Sequence, residues 1–302
     1  MDTREQVEVV KRSPRNSLTG NGLAVGSMIL WAAGFPAAEA LLQDWHPIPL
    51  MAMRLTMAMA VLLPMWILFD GTRIVFGAWW SRGMFVGALG FGLGTNLLLF
   101  AQWFTDPITV ALIATTTPIS ATIIEVANGR KWPGRLFLVG LALSVIGGAL
   151  AVGDRFSVDL SWGVLMAIAS GFCFTWASHA AIVDFPDLSP IGRSTITFSG
   201  ALVLTWVIFL ALWTSGHIEL PMITHKGQIG MLVIYAVAAM ALSQILFIAS
   251  VGRLGIALTS FHINIAPFYL MVILLMLGEP WDWRAAFGAL IVGIGVAISQ
   301  RR

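Results

Sequence analysis

The sequence predicts an all-α integral membrane protein with ten transmembrane helices, and two observations lead to this prediction. Of the 302 residues, 58% are hydrophobic and only 11% are charged, whereas a soluble domain carries roughly 25% charged residues. The apolar residues also fall into stretches of about 20, the length that an α-helix needs to cross roughly 30 Å of hydrocarbon. Helices rather than strands are expected because a helix satisfies its own backbone hydrogen bonds within lipid.

Ten stretches of the chain are apolar enough to be spans. We place them at residues 20–42, 47–69, 83–105, 107–127, 136–153, 160–183, 194–216, 227–251, 254–278 and 281–300. The polar residues 1–19 are predicted to form a cytoplasmic tail. The apolar stretch after them lacks an obvious cleavage site, so it is interpreted as a retained span rather than a signal peptide.

Lysine and arginine are distributed unevenly between the predicted loops. Thirteen of them fall on the side that holds the N-terminus and three on the other side. Because positively charged loops stay in the cytoplasm, both termini are predicted to be cytoplasmic in a multi-pass protein of the inner (plasma) membrane.

Several function classes are disfavoured by composition. The net charge is only +2 and the basic residues form no long run, so nucleic acid is not expected as a partner. Cys173 is the single cysteine, which leaves no disulfide framework and no cysteine-based metal site. The histidines form no metal-binding motif and there is no phosphate-binding loop. We therefore expect no metal, no cofactor and no enzymatic activity.

The chain contains an internal repeat, with a first five-helix unit at residues 20–153 and a second at 154–302. In each half a proline in the fourth span is followed, at the same distance, by a glycine and then by two glycines in the fifth span. These residues are Pro118, Gly129, Gly140 and Gly147 in the first half, and Pro267, Gly278, Gly288 and Gly295 in the second. Since five is odd, the two units must face opposite ways, which is a design typical of transporters.

Two motifs carry a family resemblance over residues 20–300: WAAGFPA in the first span, and LGEPWDWRAAFGALIVGIGV at the end of the second repeat. With them, the chain resembles the drug/metabolite transporter superfamily in its EamA-type branch, and within it most resembles YddG-type exporters of aromatic and other amino acids. The first-half copy departs from the pattern, with Arg130 where the second half has Glu279. The resemblance implies that spans one to four and six to nine surround a central cavity, with spans five and ten peripheral.

Polar and aromatic residues within the spans are candidates to line such a cavity, because polar groups in a membrane usually face protein or water. The candidate substrate-binding residues are Trp31, Asn96, Trp176, His179, Gln244, His262 and Tyr269. Each has an alternative interpretation. In that interpretation the polar residues join helices through hydrogen bonds, and the aromatic residues pack in the core or face lipid.

Two further sets of residues are candidates for helix kinks or gating. Pro118 and Pro267 remove a backbone donor at matching positions of the two repeats, where broken helices often mark a transporter's site. Gly90 and Gly94 lie on a glycine face of the third span, which is either a sliding seam or static packing. Apart from Arg284 at the start of the tenth span, Arg54 is the only basic residue inside a span. It either binds a carboxylate, reaches outward to water or pairs with an acid such as Glu39.

These observations lead to the hypothesis of a secondary transporter that exports amino acids, aromatic or otherwise apolar, and related small metabolites by alternating access. Its partners would be that solute and the lipid bilayer, and it would be a monomer or a homodimer. The alternatives are a nucleotide-sugar or other metabolite carrier, a membrane-embedded lipid-modifying enzyme and a structural scaffold. A phosphate-bearing ligand would need more cavity cations than Arg54 alone.

Overall fold

A computed structural model of the protein describes residues 14–105, 110, 113–114, 117–129, 132–152, 162–219, 223, 226–281 and 283–299. Within these ranges the regular structure is helical and no strand occurs. Most of the predicted cytoplasmic tail, the boundary between the two predicted repeats and the last residue of the tenth predicted span lie outside the described residues.

Seven helices in the described part of the chain are long and apolar enough to cross a membrane. They are α1 (Ser17–Leu42), α2 (Pro47–Asp70), α3 (Trp80–Phe104), α6 (Trp162–Val183), α7 (Pro190–Thr214), α8 (Lys226–Leu254) and α9 (Ile256–Met276). Three shorter apolar helices, α4 (Thr117–Ala127), α5 (Arg135–Val152) and α10 (Trp283–Ser299), correspond to the fourth, fifth and tenth predicted spans. The protein is thus a multi-pass helical membrane protein.

Two of the long helices begin with the same local signals. His46 caps α2 by accepting a hydrogen bond from the Ile48 N–H, and Ser189 caps α7 by accepting one from the Gly192 N–H. A proline follows each cap, and its fixed backbone angle suits the first turn of a helix.

Helices α5 and α10 pack against each other in antiparallel directions through glycine. A β-carbon built on Gly140 would lie 2.5 Å from the carbonyl oxygen of Gly295, and one built on Gly147 would lie 2.6 Å from that of Gly288. The missing side chains therefore allow the two backbones to approach closely.

The helix α1 contacts α8 much as α6 contacts α3. Ser27 Oγ donates to the carbonyl oxygen of Ser243 at 2.8 Å, and Ser170 Oγ donates to that of Gly94 at 2.7 Å. Each contact closes a buried serine onto the backbone of a neighbouring helix, so both pairs of helices are fixed near their middles.

A glycine–alanine pair accompanies each of these serine contacts. Between α1 and α8, a β-carbon on Gly34 would lie 2.7 Å from the β-carbon of Ala239. Between α6 and α3, a β-carbon on Gly90 would collide with the β-carbon of Ala177. In each pair, the methyl group of the alanine fills the space between the two helices, and a second methyl group does not fit.

Three helices depart from α-helical geometry near the middle of the bundle. A π-helical segment occupies Gly87–Gly92 of α3, and another occupies Ile234–Leu242 of α8. In α9 the segment Phe261–Ile265 is a 3₁₀-helix. Such departures change which side chains face inward, and they often occur at functional sites.

Each end of the bundle has its own polar contacts. At the end where α1 stops and α8 begins, which we call the Leu42 end, Gln228 Nε2 donates to Asp44 Oδ2 at 2.7 Å. At the opposite end, the Asp70 end, Arg82 forms an ion pair with Asp184 at 2.8 Å. There Ser189 Oγ also donates to Asp70 Oδ2 at 2.5 Å.

Candidate functional site

A cavity of about 740 Å³, which includes space open to solvent, lies between the helices. The lining residues are Ser27, Met28, Trp31, Arg54, Thr95, Leu98, Ala114, Thr117, Ala167, Ser170, Gly171, Phe174, Phe198, Ala239, Met240, Ser243, Gln244, Phe247 and Ile263. They come from α1 to α4 and α6 to α9, or directly precede α4. None of the lining residues that the structure describes is acidic.

The walls of this cavity are mainly apolar and aromatic. Trp31, Phe174, Phe198 and Phe247 supply four aromatic rings. Aromatic rings bury large apolar areas and favour flat partners in stacked or edge-on geometry. The cavity therefore suits a solute with an apolar or aromatic body.

Gln244 provides an unsatisfied polar group at this cavity. The residue is only 4% exposed, and its Nε2 is buried without a hydrogen-bond partner among the described residues. A buried donor without a partner costs about 1–3 kcal/mol, so a polar group of a bound solute would stabilise it. Gln244 shares a face of α8 with Met240 and Phe247, and all three line the cavity.

A second, smaller cavity of about 280 Å³ adjoins the first. Trp31, Arg54, Thr95 and Leu98 line both cavities and therefore lie where the two meet. The remaining residues of the smaller cavity are Gly34, Phe35, Leu99, Gln102 and Tyr235. These lie in the parts of α1, α3 and α8 closest to the Leu42 end, so the smaller cavity extends toward that end.

Arg54 lies at this meeting point and holds α2 to α8. Its Nε donates to the Tyr235 carbonyl oxygen at 2.9 Å, and its Nη2 donates to the Ala239 carbonyl oxygen at 3.3 Å. The guanidinium carbon also lies 3.6 Å from the centroid of the Tyr235 ring. Both carbonyls belong to the π-helical segment of α8.

These contacts explain how a cation is tolerated inside the bundle. Arg54 is only 5% exposed, so it does not reach outward to water, and none of the described acids forms an ion pair with it. An arginine at the centre of a membrane helix costs about 2.5–3.5 kcal/mol on insertion scales. A desolvated cation–π contact returns about 2 kcal/mol, and the two carbonyl bonds add to this.

Of the seven residues predicted to bind substrate, Trp31 and Gln244 line the large cavity. Asn96 is buried between α3 and α7, where its Nδ2 donates to the Gly92 carbonyl oxygen at 2.8 Å and to Thr205 Oγ1 at 2.7 Å. Asn96 is absent from the lining residues that the structure describes, and its contacts are those of a residue that joins two helices.

The two candidates on α6 lie on a different face from the cavity. Trp176 is half-buried, with its ring 6.4 Å from that of Phe85 on α3, and His179 is also half-buried. The face of α6 toward the cavity instead presents Ala167, Gly171 and Phe174. Ala167 and Gly171 are small and apolar, so they leave space for the cavity. A search of the sequence for polar residues does not find them.

The candidates on α9 are also displaced from the cavity. His262 is buried and Tyr269 is half-buried, but the residue of this helix that lines the cavity is Ile263. This helix contains the 3₁₀ segment Phe261–Ile265, which has 3.0 residues per turn instead of 3.6. A face predicted from α-helical spacing alone is therefore not reliable across this segment.

The predicted kink and gating residues lie at helix irregularities or close contacts. Pro118 is the second residue of α4, and Thr117 Oγ1 donates at 2.5 Å to the Ala114 carbonyl oxygen that the proline leaves free. Pro267 directly follows the 3₁₀ segment of α9. Gly90 belongs to the π-helical segment of α3, and Gly94 accepts the Ser170 hydrogen bond.

Comparison with known proteins agrees with this architecture. Residues 18–153 match the EamA-like transporter family. A solved crystal structure of a protein superposes with a TM-score of 0.76 at 15% identity, covering 94% of this chain and 98% of that chain, which shows a shared fold. No curated protein matches the chain. The resemblance noted in the sequence is thus confirmed as a family match: residues 18–153 match the EamA-like transporter family, a family of membrane transporters.

Proposed function

We propose that the protein is a secondary transporter that exports amino acids, aromatic or otherwise apolar, and related small metabolites across the inner membrane. The observation that carries this proposal is the central cavity, which has aromatic walls and the unsatisfied Gln244 amide. The apolar body of the solute would pack against the aromatic rings. Its polar groups would bond to Gln244 and to the cavity hydroxyls.

We further propose that residues 20–153 and 154–302 form two inverted five-helix repeats, so that ten helices cross the membrane. The paired contacts support this. Ser27 precedes Ser170 by the same number of residues as Gly34 precedes Ala177. In the proposed repeat, Ser27 and Ser170 therefore occupy corresponding positions of α1 and α6, and so do Gly34 and Ala177.

The partners of these residues on α8 and α3 follow a second constant interval. Gly94 precedes Ser243 by the same number of residues as Gly90 precedes Ala239, and as Pro118 precedes Pro267. The π-helical segments of α3 and α8 also overlap under this interval. Matching contacts at constant intervals are expected if one half repeats the other, and two such halves allow alternating access to a central site.

The uneven distribution of Lys and Arg supports a topology with both termini in the cytoplasm. In that orientation the Asp70 end of the bundle faces the cytoplasm and the Leu42 end faces away from it. Export would then carry a solute from the Asp70 end, through the large cavity, to the smaller cavity at the Leu42 end. The protein would act as a monomer or as a homodimer.

The proposal is tested by counterflow of radiolabelled phenylalanine in proteoliposomes. We expect uptake that depends on unlabelled amino acid inside, and we expect Gln244→Leu to reduce it at least tenfold at low substrate concentration. The matched control is Leu242→Ala on the same helix, at an exposed position outside the cavity lining. Absence of counterflow for every amino acid tested would overturn the substrate claim.

A further inference from the structure

We propose that Arg54 binds the carboxylate of the solute, and that this binding releases α2 from α8, so that the site selects carboxylates and opens toward the Leu42 end when occupied. The inference rests on the proposed transport function. It adds the chemical group that the site recognises and the contact that couples recognition to opening.

Charge is the first argument for carboxylate recognition. Among the described residues that line either cavity, Arg54 is the only one with a formal charge. A solute with a net positive charge would be repelled by this cation and would find no acidic side chain in the lining that the structure describes. A carboxylate would instead form a charge-assisted, bidentate pair with the planar guanidinium group.

The geometry of the guanidinium group is the second argument. Its present bonds use Nε and Nη2, both directed at backbone carbonyls of α8. Neither bond uses Nη1, which carries two further N–H groups. Because Arg54 lines the large cavity, we expect a solute carboxylate to approach Nη1 before the bonds to the two carbonyls break.

The position of Arg54 is the third argument, because it connects binding to opening. Arg54 lies where the large cavity meets the smaller one, and it spans from α2 to the π-helical segment of α8. A carboxylate is a stronger acceptor for a guanidinium group than a neutral carbonyl. If Arg54 exchanged its bonds to the α8 carbonyls for bonds to a solute carboxylate, α2 would be freed from α8 beside the smaller cavity.

The preference for a carboxylate can be measured with three solutes that share one aromatic body. Phenylalanine has both charged groups, 3-phenylpropionate lacks the amine and phenethylamine lacks the carboxylate. We expect the first two to inhibit counterflow at concentrations at least tenfold lower than the third. In Arg54→Gln, inhibition by the first two should weaken at least tenfold, whereas inhibition by phenethylamine should not weaken because the repelling cation is gone. Arg54→Lys should recover part of the loss.

Opening can be measured separately with a cysteine in the smaller cavity. In a Cys173→Ser background, Leu99→Cys places the only thiol at a buried position that lines this cavity. We expect phenylalanine to increase its labelling by a membrane-impermeant maleimide at least threefold. Tyr235→Leu, which keeps Arg54 but removes its stacked ring, should raise labelling without any solute.

The outcomes separate this inference from the function on which it rests. If phenethylamine inhibits as well as phenylalanine, or if labelling of Leu99→Cys ignores the solute, the role of Arg54 is overturned and transport stands. If no amino acid supports counterflow, the proposed function fails instead. Should Arg54→Gln not fold, the ranking of the three solutes on the wild-type protein and the Tyr235→Leu labelling still decide the question.

Discussion

Under the proposed repeat, the junction of α7 with α3 corresponds to the junction of α2 with α8, but the two junctions are built differently. Where α7 meets α3, a β-carbon on Gly87 would collide with the carbonyl oxygen of Thr197, and one on Gly200 would collide with that of Met84. Backbone therefore packs on backbone. Where α2 meets α8, the guanidinium group of Arg54 fills the contact.

This difference indicates which part of each half is structural and which part meets the solute. Arg54 follows the cap of α2 by the same number of residues as Thr197 follows the cap of α7. The glycine junction has no space for a solute, whereas the arginine junction borders both cavities. If the two halves are repeats as proposed, they differ in side chains at the place where specificity is expected.

The largest effect is expected at the glycine junction. Gly87→Leu should prevent recovery of folded protein, and even Gly87→Ala should destabilise it by about 1–3 kcal/mol, because the added carbon has no space. The measurement is thermal unfolding in detergent. Gly230→Ala in α8 is the control, since a β-carbon there meets nothing within 4 Å. Equal stability of Gly87→Ala and Gly230→Ala would contradict this account of the junction.

A smaller effect is expected at the two glycine–alanine pairs, where an exchange of residues tests their correspondence. Gly90→Ala and Gly34→Ala should each lower the unfolding temperature because each pair has space for one methyl group. Adding Ala177→Gly to the first variant, or Ala239→Gly to the second, should recover most of the loss. Recovery in only one pair would mean that the two contacts are not equivalent.

Asn96 provides a weaker test that separates packing from binding. Its hydrogen bond to Thr205 joins α3 to α7, so Asn96→Ala should destabilise the protein by about 0.6 kcal/mol, the average for a hydrogen bond between membrane helices. The concentration of phenylalanine that gives half-maximal counterflow should not change. A large change in that concentration with unchanged stability would indicate that Asn96 binds the solute.

The smallest effect concerns pH and His46, which lies outside the spans at the Leu42 end. Burial lowers the pKa of His46 below its usual value of 6.5. The unfolded chain, with a His46 pKa near 6.5, binds the proton more tightly than the folded protein does. The free energy of unfolding is therefore unaffected by His46 above pH 6.5 and decreases as the pH falls below 6.5. The unfolding temperature should fall slightly from pH 7.5 to pH 5.5, and less so in His46→Asn, which keeps a capping acceptor. An equal decrease in both proteins would exclude His46 as the cause.

The membrane class and the family follow from sequence features that do not depend on detailed geometry. Apolar stretches of spanning length predict helices because lipid allows little else. The glycines of the fifth and tenth spans allow close helix packing, but the sequence does not name the helix that each of them contacts. In the structure Gly140 and Gly147 lie against Gly295 and Gly288.

The inward-facing side chains were harder to predict, because they depend on helix geometry that the sequence does not specify. On α9, which contains the 3₁₀ segment Phe261–Ile265, Ile263 lines the cavity and His262 does not. On α6, the cavity face carries Ala167 and Gly171, which polarity does not mark. Arg54 was recognisable as an unusual residue, but its carbonyl partners exist only in the folded bundle.

The central claim is that a solute passes through a hollow in the middle of the bundle that water reaches. The most direct measurement is the labelling of Met240→Cys, a cavity position, in a Cys173→Ser background with a membrane-impermeant maleimide. In oriented membrane vesicles we expect labelling from each side in turn, slowed by saturating phenylalanine. A thiol that reacts from neither side, or whose reaction ignores every amino acid, would contradict the account.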